Sequence, residues 1–367
     1  MFREIVIEAF LFFFKCIFVI FKWLPLKNKI TFVISFGQNS RFVYRELFKQ
    51  DITSEIVFLC KKNCGIDYKE FFGVKIINFE ITNVMDFLKS IYHLATSQYI
   101  IVDNYYAFLS RINFKNGVQC IQLWHAAGAI KTFGFRDRTI NNRKKVALKR
   151  FSNVYKKFNK IVVGSEAMAN IFIEAFQVSN ENILRTGVPR TDLFYDKELQ
   201  KNIINKMKNI LSNNNKKVIL YAPTYRDNEL SNYKIHLNID LLYEELKDDF
   251  ILILKLHPAL RRYMQDLDSK YLDFVYDMSS YSDVNELLLV TDYLITDYSS
   301  IPFEFSLLNR PMIFYPYDLK EYTEKRGLWG DYASMVPGPV VFSTEGIIDC
   351  IKKGNFDFEQ IRDFANK

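Results

Sequence analysis

The chain begins with a long apolar run, "IVIEAFLFFFKCIFVIFKWLPLK", interrupted by Glu8, Lys15 and Lys22. Projected at about 100° per residue, Glu4, Glu8, Lys15 and Lys22 fall on one narrow stripe of a helix, and Phe, Ile, Leu and Val cover the rest. This pattern predicts an amphipathic helix over residues 1–27 that lies in a membrane interface, apolar face down, with Trp23 and the lysines at headgroup level. A helix packed on the protein's own body or on a second subunit fits the same stripe, and so does a bitopic anchor. A signal peptide does not fit, because the run ends in Trp23, Pro25 and Lys27 without a small-residue cleavage site.

Beyond this helix, short β-branched or aromatic runs alternate with longer amphipathic stretches. Strands are expected at "KITFVISF", "EIVFLC", "VKIINF", "QYIIVD", "QCIQLW" and "KIVVGS", then at "KKVILYAPT", "FILILKLHP", "FVYD", "DYLITDYSS" and "PMIFYP". Buried runs separated by helix-length segments predict parallel sheets covered on both faces. A turn with Gly187 and Pro189, a polar helix and an Asn-rich loop mark the break. The expectation is an α/β chain of two doubly wound domains facing a cleft, residues 28–195 and 196–367, with no internal repeat. In such sheets ligands sit beyond the carboxyl ends of the strands. His125, His257, Thr224, Arg226 and Asp297 to Ser300 all fall at such ends.

Composition narrows the classes. The chain has 367 residues, 49% hydrophobic and 16% aromatic, ample for packed cores. Its five cysteines are scattered, without a second close pair or a histidine cluster to complete a metal site, and read as reduced thiols of a cytoplasmic protein. The net charge of +7 is unevenly spread: Arg143, Lys144, Lys145, Lys149, Arg150, Lys156, Lys157 and Lys160 crowd into one stretch. That stretch suits nucleic acid, an anionic membrane, a phosphorylated substrate or plain solvent. There is no Walker loop and no G-x-G-x-x-G, and no paired carboxylates stand at a spacing for glycoside hydrolysis or metal binding.

"TDYSSIPFEFSLL" places Ser299 and Ser300 between a strand and an apolar helix with Pro302 in its first turn. Free backbone N–H groups and the two hydroxyls there form either an anion site or an ordinary cap. "APTYRD" adds Thr224 and Arg226, "LKLHP" adds Lys255 and His257, and "YDLKEYTEKRGL" is expected to carry Asp318, Lys325 and Arg326 on a charged loop. A cationic set of this kind suits a diphosphate donor. Of the four histidines, His93 and His236 sit in a helical stretch and a polar loop. His125 and His257 each end a strand beside small or proline residues, as a general base and a stabiliser of a leaving phosphate would.

In this order the motifs "VDNYYA", "QLWHAAGAIKTFG", "VVGSEAM", "TGVPRTD", "YAPTYRD", "LKLHP", "LITDYSS", "LNRPMIFYPYDL" and "KRGL" resemble the CDP-glycerol glycerophosphotransferase family of wall teichoic acid synthesis. The resemblance implies a GT-B-like fold at the cytoplasmic face of the cell membrane, with CDP-glycerol as donor, a lipid-linked acceptor and CMP as product. It implies that His125 is the base on the acceptor hydroxyl and that His257 meets the donor's phosphates. Ser299, Ser300 and Arg326 would grip the diphosphate, with Thr224, Arg226, Lys255 and Asp297 beside them. No metal or other cofactor and no nucleic acid are expected, and a homo-oligomer stays open. Polymerases of the family read Trp-His-Gly-Thr where this chain has Trp124, His125, Ala126 and Ala127. That departure is similar to the primase branch, which adds the first glycerol phosphate to the N-acetylmannosaminyl-N-acetylglucosaminyl diphosphoundecaprenol lipid. A glycerol or ribitol phosphate polymerase and a GT-B nucleotide-sugar glycosyltransferase are the alternatives.

Overall fold

A computed structural model describes residues 2–211, 216–226, 235–256 and 269–367. The chain divides into two compact units, Met1–His125 with Phe133–Asp192, and Ala126–Thr132 with Leu193–Lys367.

The first unit is built on seven parallel strands: β1 (Lys27–Ile34), β2 (Glu55–Cys60), β3 (Lys75–Asn78), β4 (Ser97–Val102), β5 (Gln119–Gln122), β6 (Lys160–Val163) and β7 (Ile183–Arg185). They lie in the order β3-β2-β1-β4-β5-β6-β7. The second unit has β8 (Lys217–Ala222), β9 (Phe250–Leu254), β10 (Val275–Asp277), β11 (Tyr293–Thr296) and β12 (Met312–Phe314), ordered β10-β9-β8-β11-β12 and again parallel. Continuous apolar runs make this arrangement stable, because helices cover both faces and no strand needs a polar side. All five residues of β9 are buried, and so are the last six of β1. In each unit the order reverses at one place, between β1 and β4 and between β8 and β11, and doubly wound sheets bind ligands beyond such points.

All eleven expected strands form. The additional one is β7, of three residues, which pairs with β6 at the edge of the sheet. The charged segment expected as a loop is instead the helix Leu319–Arg326, with Tyr322 buried under it.

The N-terminal helix Phe2–Lys22 packs on the first unit, one of the arrangements its stripe allowed. Leu11, Phe14 and Phe18 are buried against the first unit, with Phe14 stacked on Phe108 at 4.9 Å between ring centroids. The glutamates of the polar stripe face protein too. Arg150 donates to Glu4 at 3.1 Å and to Glu8 at 2.8 Å, and Arg111 also pairs with Glu8. A second apolar strip with Ile5, Phe12, Phe13, Val19, Ile20 and Trp23 stays exposed. Among the described residues no helix is long and apolar enough to cross a membrane.

Candidate active site

Both reversal points carry the same device, an aspartate directly beyond the fourth strand of the unit that fixes the loop leaving its first strand. In the first unit Asp103 follows β4, and its buried carboxylate accepts from the backbone N–H groups of Ser35, Phe36 and Gly37 at 2.8–3.2 Å. The Tyr106 hydroxyl donates to it as well, at 2.8 Å. Burial pushes this carboxyl above its usual range, while those donors pull it down. In the second unit Asp297 follows β11 and accepts from the Thr224 N–H at 2.7 Å, just beyond β8.

His125 stands beyond β5, next to the first of these sites. Its ring lies between Phe36, 4.3 Å away centroid to centroid, and Trp124 at 4.4 Å, both stacked. Nδ1 is 3.3 Å from the carbonyl oxygen of Asp103. A carbonyl only accepts, so this contact puts the proton on Nδ1 and makes Nε2 the basic nitrogen. Trp124 has φ +60°, unusual for a bulky residue. Its N–H donates to Gln122, its carbonyl accepts from Asn39, and its ring packs against Phe133, Phe172 and Phe176. Strain of this sort, on the order of 1–3 kcal/mol, persists where surroundings over-determine it, often at working sites. Arg190 closes the arrangement, its side chain donating to the His125 carbonyl at 2.9 Å.

In the second unit Arg226 is 5% exposed and its guanidinium is committed to carboxylates. It bridges both oxygens of Asp318, at 2.8 and 3.0 Å, and meets Asp297 at 2.6 Å. Tyr298, Tyr317 and Tyr322 surround it, their ring centroids within 5.2 Å of the guanidinium carbon. The carboxylates raise its pKa further above the ordinary arginine value against the effect of burial. Lys255 donates to the carbonyls of Ser279 and Tyr281. The Ser299 hydroxyl accepts from the N–H of Ile301 at 3.2 Å, and Ser300 opens the short helix Ile301–Phe305. Arg326 ends the helix Leu319–Arg326, its carbonyl held by the Thr132 hydroxyl at 3.0 Å. The Thr224 hydroxyl oxygen, beyond β8, is buried without a hydrogen-bond partner among the described residues.

Thr224, Arg226, Asp297, Ser299, Ser300 and Arg326 thus belong to one unit, and His125 to the other. His257 lies outside the described residues. His93 is a core histidine at 4% exposure, its Nδ1 3.1 Å from the Lys29 ammonium, and His236 stacks on Tyr317 at 3.7 Å. Sequence reasoning missed Asp103 and Arg190 as site residues. For Asp103 the available signal was its place directly after the apolar run of β4 in "VDNYYA"; Arg190 lies beyond β7, which was not expected, and carried no such signal.

Two doubly wound parallel sheets, with a histidine clamped in one unit and an arginine caged by carboxylates in the other, are the frame of an α/β enzyme. The class narrows with its relatives. The chain belongs to the family of CDP-glycerol:poly(glycerophosphate) glycerophosphotransferases, whose sequence profile matches residues 17–367. It is 36% identical to the teichoic acid glycerol-phosphate primase of Bacillus subtilis (strain 168), over 100% of this chain and 93% of the primase. It is 37% identical to the teichoic acid poly(ribitol-phosphate) polymerase of Bacillus spizizenii, over 95% of this chain and 54% of the polymerase. The solved structure of the wall teichoic acid polymerase TagF, a variant soaked with CDPG, superposes with a TM-score of 0.78 at 25% identity, over 92% of this chain and 84% of that one. The protein is accordingly an enzyme, a teichoic acid glycerophosphotransferase.

Proposed function

We propose that the enzyme primes wall teichoic acid by moving sn-glycerol 3-phosphate from CDP-glycerol to the undecaprenyl-diphosphate-linked N-acetylmannosaminyl-N-acetylglucosamine disaccharide. The similarity to a glycerol-phosphate primase along the whole chain carries this reading. The acceptor's terminal sugar hydroxyl attacks the phosphorus bearing glycerol, Nε2 of His125 takes its proton, and the bond to the bridging oxygen breaks as CMP leaves. The Nδ1 contact with the Asp103 carbonyl supports the role of Nε2, and the aromatic clamp supports a fixed ring.

The donor's diphosphate is assigned to the second unit, to Thr224, Ser299, Ser300 and Arg326, with His257 and Lys255 beside the leaving phosphate. Arg226 acts one step back, holding Asp297 and Asp318 in place. These cations and N–H groups offset the phosphate charge without an obligatory metal. Activity lost in chelator and restored by magnesium contradicts that.

Purified enzyme given CDP-glycerol and a short-chain analogue of the lipid disaccharide should release CMP and attach a single glycerol phosphate. His125→Asn should lower kcat by roughly 10²–10⁴, the usual weight of a general base, while still binding the donor. An inert wild type, or a variant nearly as fast, refutes the donor, the acceptor or the role of His125.

The acceptor is polyprenyl-anchored, so the enzyme is placed at the cytoplasmic face of the membrane, peripherally, through the exposed strip of the N-terminal helix and the nearby basic segment. Leu11, Phe14 and Phe18 belong to the core, so deleting the helix would damage the unit. The informative variant is Phe12→Glu, Phe13→Glu, Ile20→Glu. Each large side chain returned to water is worth about 1.5–3 kcal/mol, so the triple variant should leave anionic vesicles in co-sedimentation while keeping turnover of the soluble acceptor. Undiminished pelleting shows that attachment lies elsewhere.

A further inference from the structure

The segment from His125 to Thr132 reads as one motif, yet the residues after the histidine belong to the second unit. Gly128 lies so close to Phe303 that an added Cβ would stand 2.3 Å from the ring. Phe303 sits on the helix that Ser300 opens. Further along, the Trp329 N–H donates to the carbonyl of Ile130 at 3.1 Å, Lys131 pairs with Leu328 in an antiparallel bridge, and the Thr132 N–H donates to the carbonyl of Gly327 at 3.2 Å. Lys131 is therefore held on both sides by backbone bonds to the residues that directly follow Arg326.

Its side chain is half-buried, and among the described residues its ammonium makes no hydrogen bond and no ion pair. The charged groups that act on it are Asp297, Arg326 and Arg226. Arg226 already neutralises much of Asp297 through its 2.6 Å contact. Burial lowers the lysine's pKa from the usual 10.5, with Asp297 acting against it and the two arginines adding to it. A cation withdrawn from water beside another cation is unfavourable in the free protein, and an anion arriving between them relieves both costs.

We propose that Lys131 is a direct ligand of the donor's diphosphate, a cation that joins Arg326 on the pyrophosphate oxygens and stabilises the charge that grows on CMP as it departs. The ligand class is a nucleoside diphosphate ester, and the inference rests on the function proposed above. A flexible ammonium suits this place, because it can follow the charge from bridging to terminal oxygen as the bond breaks.

The test compares wild type, Lys131→Met and Lys131→Arg as full chains, each checked by its urea unfolding midpoint. Calorimetry gives the affinity for CDP-glycerol, inhibition gives that for cytidine, and initial rates of CMP release give kcat and KM. Lys131→Met should weaken CDP-glycerol binding roughly 10- to 100-fold and lower kcat, with cytidine unaffected, as expected for one lost charge-assisted bond to phosphate. Lys131→Arg should recover most of the affinity. A purely structural lysine would move the unfolding midpoint and the cytidine affinity together. CDP-glycerol affinity within twofold of wild type in a folded Lys131→Met overturns the inference alone. If Lys131→Met does not fold, Lys131→Gln is read by the same criteria. A wild type that neither binds CDP-glycerol nor releases CMP overturns the proposed function and this inference with it.

Discussion

Removing the Arg226 side chain separates the two things an arginine at this position can do. Its fork makes three hydrogen bonds to carboxylates, at 2.6, 2.8 and 3.0 Å, and both Arg226 and Asp297 are almost fully buried. Removing one partner of a buried ion pair leaves the other charge uncompensated and costs about 3–5 kcal/mol. Arg226→Ala should therefore lose about that much in urea unfolding at pH 7, or roughly 10 °C in Tm at the 2–4 °C per kcal/mol usual for chains of about 150–250 residues. Arg226→Lys should fall between, since an ammonium cannot bridge both oxygens of Asp318 and reach Asp297 as well. Adding Asp318→Asn to Arg226→Ala should recover part of the loss by removing one stranded charge. If Arg226→Ala instead unfolds within about 1 kcal/mol of wild type and only raises the donor KM, the caging reading is refuted and the fork meets phosphate.

Gly128→Ala must displace the Phe303 ring from a 2.3 Å contact. Overpacking of this kind costs about 1–3 kcal/mol, so urea unfolding should show a loss that Phe303→Leu largely relieves, and an unchanged midpoint would mean the loop moves freely. Burial, chiefly, and then Lys29 hold His93 at about 4 instead of 6.5, with Lys75 and Lys27 acting in the same direction and Glu55 against them. The folded state thus favours neutral imidazole, so stability is fully present above pH 6.5 and declines as pH falls from 6.5 towards 4. Urea midpoints across that window should fall for wild type and flatten for His93→Gln, and equal slopes in the two contradict the assignment.

How much of this could be read from the sequence depended on the distance over which each feature is encoded. A strand such as β9 is a local run of five apolar residues, so it could be seen directly. The helix Leu319–Arg326 could not, because "LKEYTEKR" carries almost no apolar periodicity and is anchored mainly through Tyr322. The polar stripe of the N-terminal helix was visible, but its meaning was not. Glu4 and Glu8 face Arg150, more than 140 positions downstream, and a helical projection cannot distinguish a stripe turned to water from one turned to a half-buried arginine.

The candidate site shows the same division in sharper form. That His125 ends a strand was legible. Its tautomer was not, because the ring depends on Phe36 and on the Asp103 carbonyl, and Asp103 in turn holds a loop 66–68 residues upstream. Asp297 holds Thr224 across 73 residues in the same way. "VDNYYA" and "LITDYSS" do share a local feature, a strand whose last residue is followed at once by aspartate and then, within three positions, by tyrosine. No pairwise repeat marks it, because the aspartate, its place after the fourth strand of each unit and a tyrosine at a variable distance are all that the two share. Counting strands within each half before looking for repeats would have aligned the two aspartates. They close the reversal points of their sheets, where backbone N–H groups leaving the first strand need an acceptor and ligands need a fixed loop. A carboxylate supplied from the neighbouring strand meets both needs, which is a physical reason for the same residue type to recur where the sequences otherwise differ.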